Sequence, residues 1–183
     1  EEAIRMTGLF VDPGPVVQQK DNRERVDIRK WRGQPVYTGP LVVLIDRASA
    51  SASEIAAAAL QDYNRAVVVG DETTFGKGTV QTIVDLKEDM PLLSEKDRAG
   101  SLKVTIATFF RINGESTQLD GVRSDVTLPS IYDGLEVGEK FLKDPLPHSV
   151  LPKATYNTLE PLPVKELLTR SAKRVGENKD FVF

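Results

Sequence analysis

Residues 41–45 and 66–69 are unbroken apolar runs of strand length, and the 51–63 stretch between them is dominated by good helix formers. That connection is too long for a hairpin, so the pattern predicts strand, helix, parallel strand, a crossover that is right-handed in nearly all α/β sheets. Apolar runs without alternation predict strands buried on both faces. The crossover sets Ser51 just past the carboxyl end of the first strand and Lys77 in the loop past the carboxyl end of the second. Open α/β sheets carry their sites at that edge.

The flanking pattern is simpler. Residues 1–10 read as the end of a helix, 11–15 as a turn, and 16–19 as a strand. The charged 20–32 stretch reads as a solvated loop or edge hairpin, and 87–100 as a loop or short mobile segment. Residues 102–112, rich in Thr, Ile, Val and Phe, predict a strand, and Asn113-Gly114 is a strong hairpin-turn signal. Beyond Pro129 the character changes: prolines cluster from 145 to 163, and 164–175 predicts an amphipathic helix with Leu167, Leu168 and Val175 on its apolar side. The expected division is a core over 1–130 and a proline-rich linker with a C-terminal helix over 131–183.

Composition bounds the function. At 183 residues with 40% hydrophobic positions, the chain is long enough for one sizeable core or a core with an appendage. A net charge of −3 with interspersed signs argues against nucleic acid as the main partner. No run reaches the length of a membrane span, and no basic and apolar leader occurs. Glu1 in place of an initiating methionine reads as an excised fragment, so the missing leader says nothing about export. With no cysteine and no second histidine a zinc site cannot be built, the single histidine, His148, lies in a proline-punctuated loop far from the crossover, which argues against a histidine-based triad, and no cofactor is expected.

What remains is a hydroxyl and an amine. A serine becomes a nucleophile only when a base takes its proton, and a lysine is that base only when neutral. At its ordinary pKa of about 10.4, a lysine at pH 7 is neutral roughly one time in 2,500; a drop of about 3 units, near 4 kcal/mol, makes that roughly a quarter. Burial away from carboxylates lowers a lysine in this way. Gly76 and Gly78 permit close backbone approach, Phe75 offers an apolar wall, and strand alternation turns Lys77, Thr79 and Gln81 to one face. Gln81 is placed to hold the amine, and the Ala52 amide, at a helix N-terminus, to meet an oxyanion.

Each residue also has an ordinary reading. Ser51-Ala52-Ser53-Glu54 fits a capping box, Lys77 a solvated loop lysine, and Gln81 a plain strand residue. The run from Gly70 to Gly78 also resembles a phosphate loop. It has one residue too many before Gly76, glycine where Ser or Thr binds magnesium, acidic Asp71 and Glu72, and a strand rather than a helix after it.

The pair SASASEI at 49–55 and TFGKGTVQ at 74–81 resembles the catalytic core of the carboxy-terminal processing, or tail-specific, proteases, with the likeness running from about Thr7 to Asp125. The resemblance implies a serine endopeptidase with Ser51 as nucleophile, Lys77 as general base, Gln81 orienting the lysine, Ala52 supplying an oxyanion-hole amide, and Asp62 matching an acidic residue counted with the site in some relatives. Eleven helical residues span about 16 Å, so Asp62 would act only through the outer contacts of the helix. In 121–125, Ser124 stands where the family carries proline, which loosens a turn more than it threatens catalysis.

Also implied are an α/β crotonase- or ClpP-like spiral core with a mixed sheet and short crossover helices, plus the C-terminal helical segment. Implied partners are unfolded polypeptides with exposed C-termini and an adaptor or scaffold lipoprotein. The implied setting is periplasmic or otherwise exported, with peripheral membrane association open to it. The PDZ domain and the upstream glycine-bearing strand of the family are not visible, so a catalytically inactive interaction fragment stands as the alternative, with a phosphate or nucleotide-binding module behind it.

Overall fold

A computed structural model describes residues 1–86 and 100–181; the loop expected at 87–100 falls almost wholly outside the described residues. The described elements are α1 (Glu2–Gly8), β1 (Gly14–Asp21), β2 (Val26–Trp31), β3 (Val42–Ile45), α2 (Ala52–Asp62), β4 (Val67–Gly70), β5 (Thr79–Asp85), β6 (Ser101–Phe110), β7 (Val126–Thr127) and α3 (Val164–Glu177). They form a mixed α/β fold of two sheets. An antiparallel sheet runs β2-β1-β6-β5 and a parallel one runs β3-β4-β7.

The crossover forms as expected. β3 and β4 pair in parallel from Val42 opposite Val67 to Ile45 opposite Gly70, with α2 as the connection. The alanine run lets α2 lie close on the sheet: Ala57 and Ala58 are buried with Ile45, Val68 and Val122. Small side chains shorten the distance between helix and sheet backbones, so dispersion contacts form without voids.

Burial of β3 on both faces is corrected. Val42 is 57% and Leu44 77% exposed, because β3 lies at the sheet edge and α2 covers only the face that carries Val43 and Ile45. An apolar run registers strand propensity on both faces but not which face a neighbour covers.

The second core joins the two sheets. Val11, Leu60, Tyr63, Ala66, Ile112 and Ala154 are buried together, with Trp31 and Tyr156 packed against them. Ala154 belongs to the proline-rich segment, which lies on the core: Leu151 N–H donates to Gly114 O at 2.8 Å, Ala154 N–H to Ile112 O at 2.8 Å, and Leu159 N–H to Tyr63 O at 3.0 Å. The charged 20–32 stretch makes an edge hairpin through β2. Asn113-Gly114 forms a tight turn closed by Arg111 N–H to Glu115 O at 2.7 Å. No helix among the described residues is long and apolar enough to cross a membrane.

Candidate active site

Ser51 precedes the first turn of α2 with φ +58° and ψ −109°. A β-carbon at positive φ is strained by roughly 1–3 kcal/mol, so surrounding contacts must hold it there. The contact is Glu54. Its Oε2 accepts the Ser51 backbone N–H at 2.6 Å, the glutamate half of a capping box. Ala52 opens the helix, with its N–H among the first four that intrahelical bonds leave unpaired.

Glu54 reaches further than a cap does. It is fully buried, and besides Ser51 it accepts the Thr74 hydroxyl at 2.6 Å, Gly76 N–H at 2.7 Å and Lys77 N–H at 3.0 Å. Four donors and no acceptor suit an ionised carboxylate. Burial nevertheless pushes the Glu54 carboxyl above its ordinary 4.5, against the lowering effect of the hydrogen bonds from Thr74, Ser51, Gly76 and Lys77. Glu54 therefore fixes the serine turn and the lysine loop to one another. The sequence showed Glu54 only as a cap, because its other partners lie twenty or more residues away.

The Lys77 amine donates to Gln81 Oε1 at 3.1 Å, and Gln81 in turn reaches Thr105 Oγ1 at 3.5 Å on β6. Ser51, Ala52, Lys77 and Gln81 line one cavity of about 370 Å3, with Ile55 and Phe109 among its apolar walls. Among the described residues no hydrogen bond joins the Ser51 hydroxyl to the Lys77 amine; they face the same space.

Asp62 lies elsewhere. At the far end of α2 its carboxylate, 5% exposed, pairs with Arg111 at 2.6 Å and accepts Asn113 Nδ2 at 3.0 Å. Burial pushes the Asp62 carboxyl up, and the Arg111 hydrogen bond and charge oppose that push. His148 sits apart from the cavity, 3.7 Å from Glu115 and 3.6 Å from Asp120. The loop that resembles a phosphate cradle has no free cradle: its Gly76 and Lys77 amides go to Glu54, its Gly78 amide goes to Gln118 Oε1 at 2.8 Å, and it leads into β5. No metal-holding group of acids and histidines occurs among the described residues.

The sequence model of peptidase family S41 matches residues 1–128. The chain belongs to peptidase family S41. Within that family it is 44% identical over 156 residues to the tail-specific protease of Haemophilus influenzae, covering 85% of this chain and 22% of that protein. It is 36% identical over 152 residues to the carboxy-terminal-processing protease of Bartonella bacilliformis, covering 78% and 32%. Among solved structures, the photosystem II D1 C-terminal processing protease superposes with a TM-score of 0.58 at 35% identity, over 69% of this chain and 30% of that one. The chain thus spans between a fifth and a third of these relatives. Its S41 fold is the mixed α/β architecture described above, and the family is one of C-terminal processing serine proteases.

Proposed function

We propose that the chain carries the nucleophile and base of a serine endopeptidase that cleaves unfolded or C-terminally tagged polypeptides through a Ser51-Lys77 dyad. The observation that carries this reading is the shared cavity: the Ser51 turn and the Gln81-held Lys77 amine face one space, and a single buried carboxylate fixes the backbones behind them. Ser51 Oγ attacks the scissile carbonyl carbon as neutral Lys77 takes its proton. The developing oxyanion meets the Ala52 N–H at the start of α2, where the helix dipole favours negative charge. The lysine ammonium then protonates the leaving amine, the peptide C–N bond breaks, and water releases the acyl group from Ser51 with Lys77 again as base.

Asp62 enters as a support for the end of α2 through Arg111. On the resemblance alone, the reading extends to an exported compartment and to an adaptor or scaffold lipoprotein as partner. The test is hydrolysis of an unfolded polypeptide by the protein at its full natural length, with products identified by mass spectrometry. Cleavage that disappears in Ser51→Ala and Lys77→Ala supports the dyad. Cleavage that persists in either removes it.

A further inference from the structure

The direction of a side chain is set by the φ and ψ of its own residue, and those by the two peptide planes that flank it. At Lys77 both planes are held by buried side-chain acceptors. The plane before it is held by Glu54, which accepts Lys77 N–H at 3.0 Å. The plane after it is held by Gln118, whose Oε1 accepts Gly78 N–H at 2.8 Å. Gln118 is 2% exposed and comes from the 116–121 stretch that runs beside the lysine loop, where Leu119 N–H donates to Gly76 O at 2.8 Å.

Gln118 is itself fixed from outside that stretch. Its Nε2 donates to Leu146 O at 3.0 Å and to Glu139 Oε1 at 3.3 Å. Glu139 also grips the lysine loop directly, its N–H donating to Phe75 O at 2.8 Å. Both Glu139 and Leu146 lie beyond residue 128, where the family match ends.

We propose that Gln118 is a positioning residue for Lys77, and that the Glu139–Leu146 strap holds it in that role. The inference rests on Lys77 being the base. With Gln118 in place, the amide that follows Lys77 cannot rotate, and the amine is delivered to the cavity in one orientation. Without it, Gly78 N–H is buried and unpaired, and the peptide turns to find water. The amine then swings toward solvent, so the base is less often in place.

The experiment compares Gln118→Met, which keeps volume and loses both hydrogen-bond functions, with wild type at full natural length. The readouts are kcat and KM on a neutral peptide. The expected result is kcat lower by roughly 30-fold with KM within about 3-fold, as for loss of one buried hydrogen bond that acts in the chemical step. A folded Gln118→Met with unchanged kcat overturns the proposal. So does a fall in kcat matched by a comparable rise in KM, the mark of a structural role.

Should Gln118→Met not fold, Glu139→Ala serves, since it loosens Gln118 and leaves Gly78 N–H paired. It is expected to lower kcat by about fivefold with KM again within about 3-fold, and an unchanged kcat overturns the proposal. Lys77→Ala run alongside separates the two levels. If that variant still cleaves, the dyad and this inference fail together; if it is dead while Gln118→Met is unaltered, only this inference fails.

Discussion

The backbone N–H groups of Ser51 and Lys77 share one side-chain acceptor: Glu54 Oε2 lies 2.6 Å from the Ser51 nitrogen and 3.0 Å from the Lys77 nitrogen. A fully buried carboxylate is thus the joint between the helix start that carries Ser51 and the loop that carries Lys77. Replacement by glutamine puts an amide N–H2 either against the Ser51 and Lys77 N–H groups or against the Gly76 N–H and Thr74 hydroxyl, leaving at least one N–H unpaired. Glu54→Gln is expected to destabilise the fold by about 2–4 kcal/mol and to lower kcat by roughly 100-fold, measured by urea unfolding and peptide hydrolysis. Activity retained within twofold would show that the joint is dispensable.

The same carboxylate has a pH signature. Its folded value lies above the ordinary 4.5, so the folded state holds the proton more tightly than the unfolded chain does. That contribution favours folding in acid and is lost as pH rises through the raised value. Wild type therefore loses stability relative to Glu54→Gln as pH increases from about 4 toward neutrality. Urea titrations across that range check the sign; a difference that is constant or grows with pH contradicts it.

Asp62 and Arg111 form a pair exposed by only 5% and 15%. Removing one partner leaves the other charged and buried, so Asp62→Ala and Arg111→Ala should each cost about 3–5 kcal/mol, with a strong coupling in the double-mutant cycle. Activity is expected to fall together with stability. Full stability with lost activity would instead place Asp62 in the chemistry.

Gly76 adopts φ +90°, and a β-carbon there would meet the Leu119 carbonyl carbon and oxygen at 2.9 Å. Gly76→Ala should therefore shift the backbone one residue before Lys77, at a cost of about 2–3 kcal/mol and a loss of cleavage. Thermal unfolding and kcat check it; an unperturbed variant would show that the loop has slack.

The crossover was legible because apolar runs and helix formers alternate on a scale that leaves few topologies. Contact of Lys77 with Gln81 was legible from strand alternation, although Lys77 itself precedes β5. Exposure of Val42 and Leu44 was not, since nothing local records that β3 lies at an edge. The wider reach of Glu54 and the grip of Gln118 on Gly78 join residues 20 to 40 positions apart, and a single sequence carries no signal for such pairs. Ser124, where the resemblance expects proline, uses what proline lacks: its N–H donates to Glu72 O at 3.1 Å and its hydroxyl to Asp71 O at 2.5 Å.

The proposed function stands or falls with activation of the Ser51 hydroxyl by the Lys77 amine across the shared cavity. Treating the protein at its full natural length with a serine-reactive phosphonate, and mapping the adduct by mass spectrometry, tests it most directly. The expected result is a single adduct on Ser51 that is lost in Lys77→Ala. An adduct on Ser51 that forms equally fast in Lys77→Ala, or no adduct on Ser51 in a protein that cleaves peptides, would contradict the account.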